Sequence, residues 1–218
     1  MLVKPIQNII FDLGGVILNI NPQLTVNAFR NLGWRGFYQD NDPANGMELF
    51  YSLESGNSSP EVFRNNVRKL ADIQRADEEI DAAWTAMILD IPADRIRYLE
   101  ELKKSYRLFL LSNTNEIHRI KFHLDFETDF GYSFYDLFER NFYSHEMGMR
   151  KPNPQIYIQA LKEAGLEPEE TLFIDDMEEN IEAAKTIGMK VLHIKPGTLL
   201  EKLPGFLKDN YPSIDLIK

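Results

Sequence analysis

Residues 6–15 read IQNIIFDLGG, a short apolar run that ends at an acid and two glycines. An uninterrupted apolar run of this length is typical of a strand that is covered on both faces, as in a parallel sheet. Similar runs lie at 106–111 and 171–174, and polar residues follow each of them. Residues 190–194 form a fourth candidate strand and residues 139–143 a weaker fifth. The chain is therefore expected to build its core around these strands.

Helical patterns separate the candidate strands. Asn153 and Pro154 look like an N-cap followed by proline at the first helical position, and Gly165 follows the last apolar position of that segment. Residues 177–187 indicate a second helix, with acids in its first turn, and residues 92–104 a third. Strands that alternate with helices predict an α/β fold with a mostly parallel sheet.

The stretch from residue 20 to residue 91 differs, because it contains little strand-like alternation. Four of its segments carry helical spacing: 22–32, 45–54, 60–71 and 77–89. The stretch is too long for a plain crossover between strands. We therefore predict a helical insertion at 20–91 and an α/β core made of residues 1–19 and 92–218.

Composition narrows the function. The chain has 218 residues, a formal net charge of −10 and no cysteine. Its acidity argues against nucleic-acid and anionic-membrane partners, and the lack of cysteine excludes disulfides and thiolate metal sites. The sequence has neither an apolar run of the roughly 18 residues that a membrane span requires nor the layout of a secretory signal. We expect a cytoplasmic protein.

Chemically active side chains follow three of the candidate strands. Asp12 ends the first, Ser112 the second, and Asp175 with Asp176 the third. Ligands of open α/β sheets bind beyond the carboxyl ends of the strands, so these groups should converge, and Lys151 at the start of a helix should join them. Three carboxylates repel one another unless cations compensate, and hard oxygen ligands suit Mg²⁺. Mg²⁺ and Lys151 together would balance them and let a phosphate dianion bind, which predicts phosphoryl transfer.

Four motifs, in order, resemble those of the haloacid dehalogenase (HAD) superfamily: FDLGGVI at 11–17, LLSNTN at 110–115, GMRKPNPQIY at 148–157 and FIDDMEENIEAAKTIGM at 173–189. Their wording is most similar to bacterial sugar-phosphate phosphatases of the α-glucose-1-phosphatase type and to the phosphatase domain of soluble epoxide hydrolases. The resemblance implies a Rossmann-like core, and it implies that the helical insertion is a cap.

The resemblance also implies roles for individual residues. Asp12 would attack phosphorus and ligate Mg²⁺, with the Gly14 carbonyl oxygen and Asp176 as further metal ligands. Ser112 and the backbone amide of Asn113 would bind phosphate oxygens.

Three further roles follow from the same resemblance. Lys151 would neutralise charge on the nucleophile and the phosphate. Asp175 would ligate the metal through water or position Lys151, and Asn180 could hold a metal-bound water.

One position departs from the family. Most of its phosphatases carry a second aspartate two residues after the nucleophile, as general acid, whereas this chain has Gly14 there. A missing general acid typically costs about 10²–10⁴-fold in rate. Either the substrate has a good leaving group, such as an anomeric sugar phosphate, or a cap residue or water substitutes, or the protein is a poor catalyst.

Trp84, with Met87 and Ile88, is interpreted as packing within the cap. The alternative is that Glu48, Glu54 and Trp84 face the substrate from the helical insertion. The four histidines show no spacing typical of a metal site. The aromatic-rich stretch 126–143 has no obvious period and is interpreted either as a loop against the active site or as an oligomer contact. The protein is expected to be a monomer or a small homo-oligomer.

The function expected from the sequence is a Mg²⁺-dependent phosphatase that hydrolyses a small phosphorylated metabolite, a sugar phosphate in particular, through an aspartyl-phosphate intermediate. Three alternatives stay open: a 2-haloacid dehalogenase, a phosphosugar mutase, and a phosphosugar-binding module with little catalysis.

Overall fold

A five-stranded parallel sheet forms the centre of the computed structural model, which describes residues 5–37 and 46–210. The strands are β1 (Asn8–Phe11), β2 (Arg107–Ser112), β3 (Arg140–Tyr143), β4 (Thr171–Asp175) and β5 (Lys190–His193). Their order across the sheet is β3-β2-β1-β4-β5, and all four neighbouring pairs are parallel. The predicted α/β class is confirmed, and even the weakest candidate strand is present as β3.

The helices of the described residues fall into two groups. Between β1 and β2 lie α1 (Pro22–Leu32), α2 (Met47–Glu54), α3 (Pro60–Ala71), α4 (Asp77–Thr85) and α5 (Ala93–Leu102). The remaining helices are α6 (Glu116–Phe130), α7 (Ser144–Met147), α8 (Pro154–Ala164), α9 (Glu178–Thr186) and α10 (Leu199–Asn210). Two short 3-10 helices, Phe134–Leu137 and Pro168–Glu170, precede β3 and β4.

The sheet register explains why the polar strand ends meet. Phe11 is paired with Ile174 of β4 on one side and with Leu110 of β2 on the other. Asp12 and Asp175 therefore leave adjacent strands side by side. The strand order also reverses here: β2 and β3 extend the sheet on one side of β1, whereas β4 and β5 extend it on the other side. This is the switch point at which open α/β sheets bind ligands.

Capping residues determine where α8 begins and ends. The loop that precedes this helix contributes Lys151 to the site. The Asn153 side chain accepts a hydrogen bond from the Gln155 amide at 3.0 Å, as an N-cap does. Gly165 closes the helix in the left-handed conformation, with a φ of 64°. The buried residues Ile156, Tyr157, Ala160 and Leu161 place one face of α8 against the sheet.

Helices α1–α4, called here the four-helix segment, have an apolar cluster largely of their own. The cluster is rich in aromatic residues, among them Phe29, Trp34, Phe50, Phe63 and Trp84. Ile117 at the start of α6 joins it, and this residue comes from outside the segment. The two connections through which the chain enters and leaves the segment meet at an isolated antiparallel bridge between Ile20 and Ile88.

The aromatic-rich stretch 126–143 is not a loop against the active site, and that interpretation was wrong, whereas a contact between subunits stays a prediction. It forms the end of α6, a 3-10 helix and β3. Phe126, Phe134 and Phe142 are each at most 2% exposed. Their rings pack in the core beside the sheet, where Phe126 and Phe134 meet edge to face with centroids 5.2 Å apart.

Across the described residues, no helix combines the length and the apolar character needed to span a bilayer.

Candidate active site

The buried ammonium of Lys151 bridges two carboxylates at the carboxyl edge of the sheet. Its Nζ lies 2.7 Å from Asp12 Oδ1 and 2.7 Å from Asp175 Oδ2. The Lys151 side chain is 1% exposed. Charge-assisted hydrogen bonds of this length are the arrangement that a buried charge requires. Three residues that the sequence selected from separate motifs are thus in direct contact.

Asp176 adds a third carboxylate to the group. Asp12, Asp175 and Asp176 each offer a carboxylate oxygen, and these oxygens all lie within 4.8 Å of one another. Gly15 makes the approach of Asp176 possible, since it has a φ of 77° and a Cβ there would come within 2.6 Å of Asp176 Oδ2. A set of close, hard oxygen donors fits Mg²⁺. Gly14, whose carbonyl was predicted as a further ligand, lies in the same turn and bridges to Leu18.

The electrostatics of the site show how crowded the negative charge is. Burial raises the pKa of Asp12 to about 7, with Asp175 adding to the effect and Lys151 opposing it. Burial also raises the pKa of Asp176, again together with the nearby Asp175. Burial alone would lower the pKa of Lys151, but the two carboxylates at its Nζ leave that pKa above its usual value. One lysine therefore compensates only part of the charge, and a divalent cation would compensate the rest.

Asp175 is held by more than its lysine. Its Oδ1 accepts a hydrogen bond from the Met177 amide at 2.8 Å and one from Asn180 Nδ2 at 3.0 Å. Asn180 is itself fixed, because Tyr157 donates its hydroxyl to the Asn180 carbonyl at 3.1 Å. The Asn180 side-chain nitrogen is thus directed at Asp175, and the role expected for it, holding a metal-bound water, stays a prediction.

Ser112 and Asn113 stand at the end of β2, and Ser112 is 3% exposed. The Asn113 side chain has a function that the sequence did not indicate. It donates from Nδ2 to the Lys151 carbonyl at 2.9 Å and accepts from the Lys151 amide at Oδ1 at 2.8 Å. The following turn is fixed by the buried Ser144, whose Oγ accepts from the Thr114 amide and donates to the Thr114 carbonyl, both at 2.9 Å.

A cavity of about 380 Å³ joins this edge of the sheet to the four-helix segment. Among its lining residues are the following site candidates and neighbours: Gly14, Ser112, Asn113, Glu54, Trp84 and Arg150. Many of the other lining side chains are apolar, including Ile20, Val26, Phe37, Phe50 and Met87. Glu48 is exposed on α2 and does not line this cavity, so its expected contact with substrate has no support from the geometry.

Trp84 both packs and lines the cavity. Its ring stacks on Phe50 with centroids 4.5 Å apart, and on His118, also at 4.5 Å. The indole Nε1 donates to Asn115 Oδ1 at 3.2 Å, and His118 Nε2 lies 3.0 Å from the Trp84 carbonyl oxygen. The two interpretations of this tryptophan are therefore compatible.

Arg150 is a lining residue that sequence reasoning missed, although it stands next to Lys151 in the third motif. Its Nη2 lies 3.1 Å from Glu54 Oε2, and its guanidinium stacks on the Tyr51 ring at 4.4 Å from the centroid. Because Glu54 ends α2 and Arg150 precedes α8, this pair connects the four-helix segment to the loop that carries Lys151.

Comparison with known proteins points to one hydrolase family. The family model of the haloacid dehalogenase-like hydrolases matches residues 6–188. The chain is 32% identical over 193 residues to D-ribitol-5-phosphate phosphatase of Bacteroides thetaiotaomicron, which covers 88% of this chain and 93% of that protein. It is 27% identical over 215 residues to glyceraldehyde 3-phosphate phosphatase of Pyrococcus furiosus, or 91% of this chain and 85% of that one.

Among solved structures, a HAD-family enzyme of Bacteroides thetaiotaomicron in complex with magnesium has a TM-score of 0.83 to this chain. The two are 34% identical, and the match covers 89% of this chain and 96% of the other.

Proposed function

The chain belongs to the haloacid dehalogenase-like hydrolases and is a phosphatase of that family, and we propose that it hydrolyses a small phosphorylated metabolite through an aspartyl-phosphate. The observation that carries the proposal is the contact of Lys151 Nζ with both Asp12 and Asp175 at 2.7 Å. An ammonium in this position orients a carboxylate and neutralises charge where a phosphoryl group would be transferred.

Each residue of the site has a part in the proposed reaction. The Asp12 carboxylate attacks phosphorus in line with the leaving oxygen. Ser112 and the Asn113 amide hold phosphate oxygens, and Lys151 neutralises charge on both partners. Asp175 keeps Lys151 in place, which its own hydrogen bonds to the Met177 amide and Asn180 support.

The donor set supports a resident Mg²⁺ held by Asp12, Asp176 and the Gly14 carbonyl oxygen. When bound, the ion supplies positive charge that offsets the carboxylates and the phosphate.

We further propose that residues 20–91 are a cap on a core of residues 1–19 and 92–218. The separate apolar cluster of the four-helix segment and the pairing of its two connections at Ile20 and Ile88 support this division. The cap would close the cavity over the substrate and exclude water from the first step. Glu54 and Trp84 would face the substrate from the cap.

The substrate that we favour is a sugar or polyol phosphate. The named relatives act on a pentitol phosphate and a triose phosphate. A cavity of about 380 Å³ is large enough for a metabolite of this size.

Phosphate release from a panel of sugar, polyol and apolar monophosphates tests the function. We expect turnover with Mg²⁺ and none after chelation, and we expect Asp12→Asn to abolish it while the protein stays folded. Asp129→Asn, on the exposed side of α6, is the matched control and should keep full activity.

Other outcomes of the same assays would contradict the proposal. Undiminished activity of Asp12→Asn would refute the nucleophile. Halide release from a 2-haloacid that survives chelation would favour a dehalogenase, and phosphate that moves within the sugar would favour a mutase. Tight binding without phosphate release would favour a binding module.

A further inference from the structure

The proposed reaction needs a proton donor, and the turn after β1 does not supply one. A sugar or polyol alkoxide is a poor leaving group unless its oxygen is protonated as the bond to phosphorus breaks. The carboxylates of Asp12 and Asp175 are both engaged by Lys151. Residue 14 is glycine, and the Ile20 side chain occupies the adjacent space, since a Cβ at Gly14 would lie 3.2 Å from Ile20 Cδ1.

Among the described residues, two carboxyl groups line the cavity, those of Glu54 and Glu179, and they differ in their surroundings. Glu179 is exposed to solvent in the first turn of α9. Glu54 ends α2, and its side chain is 19% exposed. The Glu54 carboxyl therefore faces the cavity in a place from which solvent is largely excluded.

The surroundings of Glu54 suit a group that changes its protonation during a reaction. Burial raises its pKa, which increases the protonated fraction at neutral pH, while Arg150 and then Lys151 oppose that shift. Arg150, held against the Tyr51 ring, lies 3.1 Å from Oε2 and can stabilise the carboxylate that remains after a proton leaves. A carboxyl group whose charged form is disfavoured by burial and stabilised by a neighbouring arginine can serve as general acid and then as general base.

We infer that Glu54 is the general acid and general base of the phosphatase reaction, an inference that rests on the function proposed above. In the first step the Asp12 carboxylate oxygen bonds to phosphorus, the bond from phosphorus to the ester oxygen breaks, and that oxygen takes the Glu54 proton and leaves as the alcohol. In the second step the Glu54 carboxylate takes a proton from water, whose oxygen bonds to phosphorus. The bond between phosphorus and Asp12 then breaks, and inorganic phosphate leaves.

Glu54→Gln tests the inference, because glutamine keeps the size of the side chain and cannot exchange the proton. With an alkyl phosphate such as ribitol 5-phosphate we expect kcat to fall by about 10²–10⁴-fold. With p-nitrophenyl phosphate the leaving group needs no proton. Rapid mixing should then show a burst of about one nitrophenolate per active site at nearly the wild-type rate, followed by slow turnover.

Two further variants control the experiment. Glu61→Gln, exposed at the start of α3, should behave as wild type with both substrates. Glu54→Asp retains a carboxyl group and should recover part of the kcat that Glu54→Gln loses.

The inference is overturned if Glu54→Gln keeps kcat on the alkyl phosphate within a few fold, or if it slows the nitrophenolate burst as much as the alkyl reaction. Either result would leave the phosphatase function intact as long as the wild-type protein releases phosphate. Absence of phosphate release by the wild-type protein would instead refute the proposed function itself.

Discussion

His118 shows at the residue scale how burial sets the protonation of one side chain. It belongs to the first turn of α6, its ring stacks on the Trp84 ring, and it is 8% exposed. Burial lowers its pKa to about 4, and the hydrogen bond to the Trp84 carbonyl opposes the shift only in part. A carbonyl oxygen accepts hydrogen bonds, so the neutral ring carries its proton on Nε2. The sequence offered four histidines without distinguishing this one, because its burial depends on a tryptophan 34 positions earlier.

The pKa of His118 makes stability depend on pH. The unfolded chain takes up the proton near pH 6.5 and the folded chain only near pH 4, so stability is lost as the pH falls through that window. The full effect is about 3 kcal/mol. His118→Gln can still donate to the Trp84 carbonyl and does not titrate. Urea unfolding at pH 7 and pH 4.5 measures the free energy of unfolding at each pH. Between these two pH values the variant should lose less of this free energy than the wild-type protein. Equal losses would contradict the prediction.

Three of the site residues that the sequence predicted share one property. Asp12 directly follows β1, while Ser112 and Asp175 end β2 and β4. The register of these strands is enough to bring the three residues together. Glu48 and Glu54 could not be separated in this way. They lie on the same short helix, and only the packing of that helix against the core decides which of the two faces the cavity.

The turn after α2 packs closely against α7. Gly56 has a φ of 69°, and a Cβ there would overlap the carbonyl oxygen of His145. Only glycine avoids both the strained backbone conformation and the collision. This close approach fixes the helix that carries Glu54 against the core.

Gly56→Ala should therefore lower stability and activity together. The left-handed conformation alone costs a non-glycine residue about 1–2 kcal/mol, and the collision with His145 adds to it. Gly131→Ala is the matched control, since Gly131 has a φ of 77° and nothing within 4 Å of its Cβ position. Thermal unfolding should show the larger loss for Gly56→Ala, and only that variant should lose kcat on an alkyl phosphate. Equal behaviour of the two would mean that the contact with His145 is unimportant.

Helix α6 shows why some elements were harder to predict from the sequence than others. Its buried residues Ile117, Phe122 and Phe126 follow a helical period, but Ile120 and Leu124 are apolar and exposed, which obscures the pattern. Helix α10 contains Pro204, a residue that normally indicates a break. By contrast, α8 has an N-cap, a first-turn proline and a closing glycine, and its predicted bounds agree with the structure.

At the scale of the whole molecule, the carboxylates of the site depend on strands and loops that are far apart in the chain. Asp12 and Asp176 are brought within reach of a shared ion only when β1 and β4 are paired. The order of the strands and the cavity between sheet and four-helix segment follow from long-range packing, which no local pattern of the sequence encodes. An ion that requires this pairing binds the folded state and stabilises it.

Mg²⁺ should accordingly raise the thermal unfolding temperature of the metal-free protein. A concentration one hundred times the Kd corresponds to about 2.7 kcal/mol of stabilisation. Asp176→Asn removes one charged ligand and should shift the half-maximal Mg²⁺ concentration upward by at least tenfold. Differential scanning fluorimetry across a Mg²⁺ titration measures both effects. If the unfolding temperature of the wild-type protein does not change with Mg²⁺, the assignment of the three carboxylates to a Mg²⁺ site is refuted.

The side chain of Asn113 forms two hydrogen bonds with the Lys151 backbone, like those between neighbouring β-strands. It accepts from the Lys151 amide at 2.8 Å and donates to the Lys151 carbonyl at 2.9 Å. This pair of hydrogen bonds connects the loop before α8 to the end of β2, although the two are far apart in the chain. Any movement of the end of β2 would therefore displace Lys151 together with Ser112. The Asn113 side chain thus couples the position of the Ser112 hydroxyl at the end of β2 to that of the Lys151 ammonium.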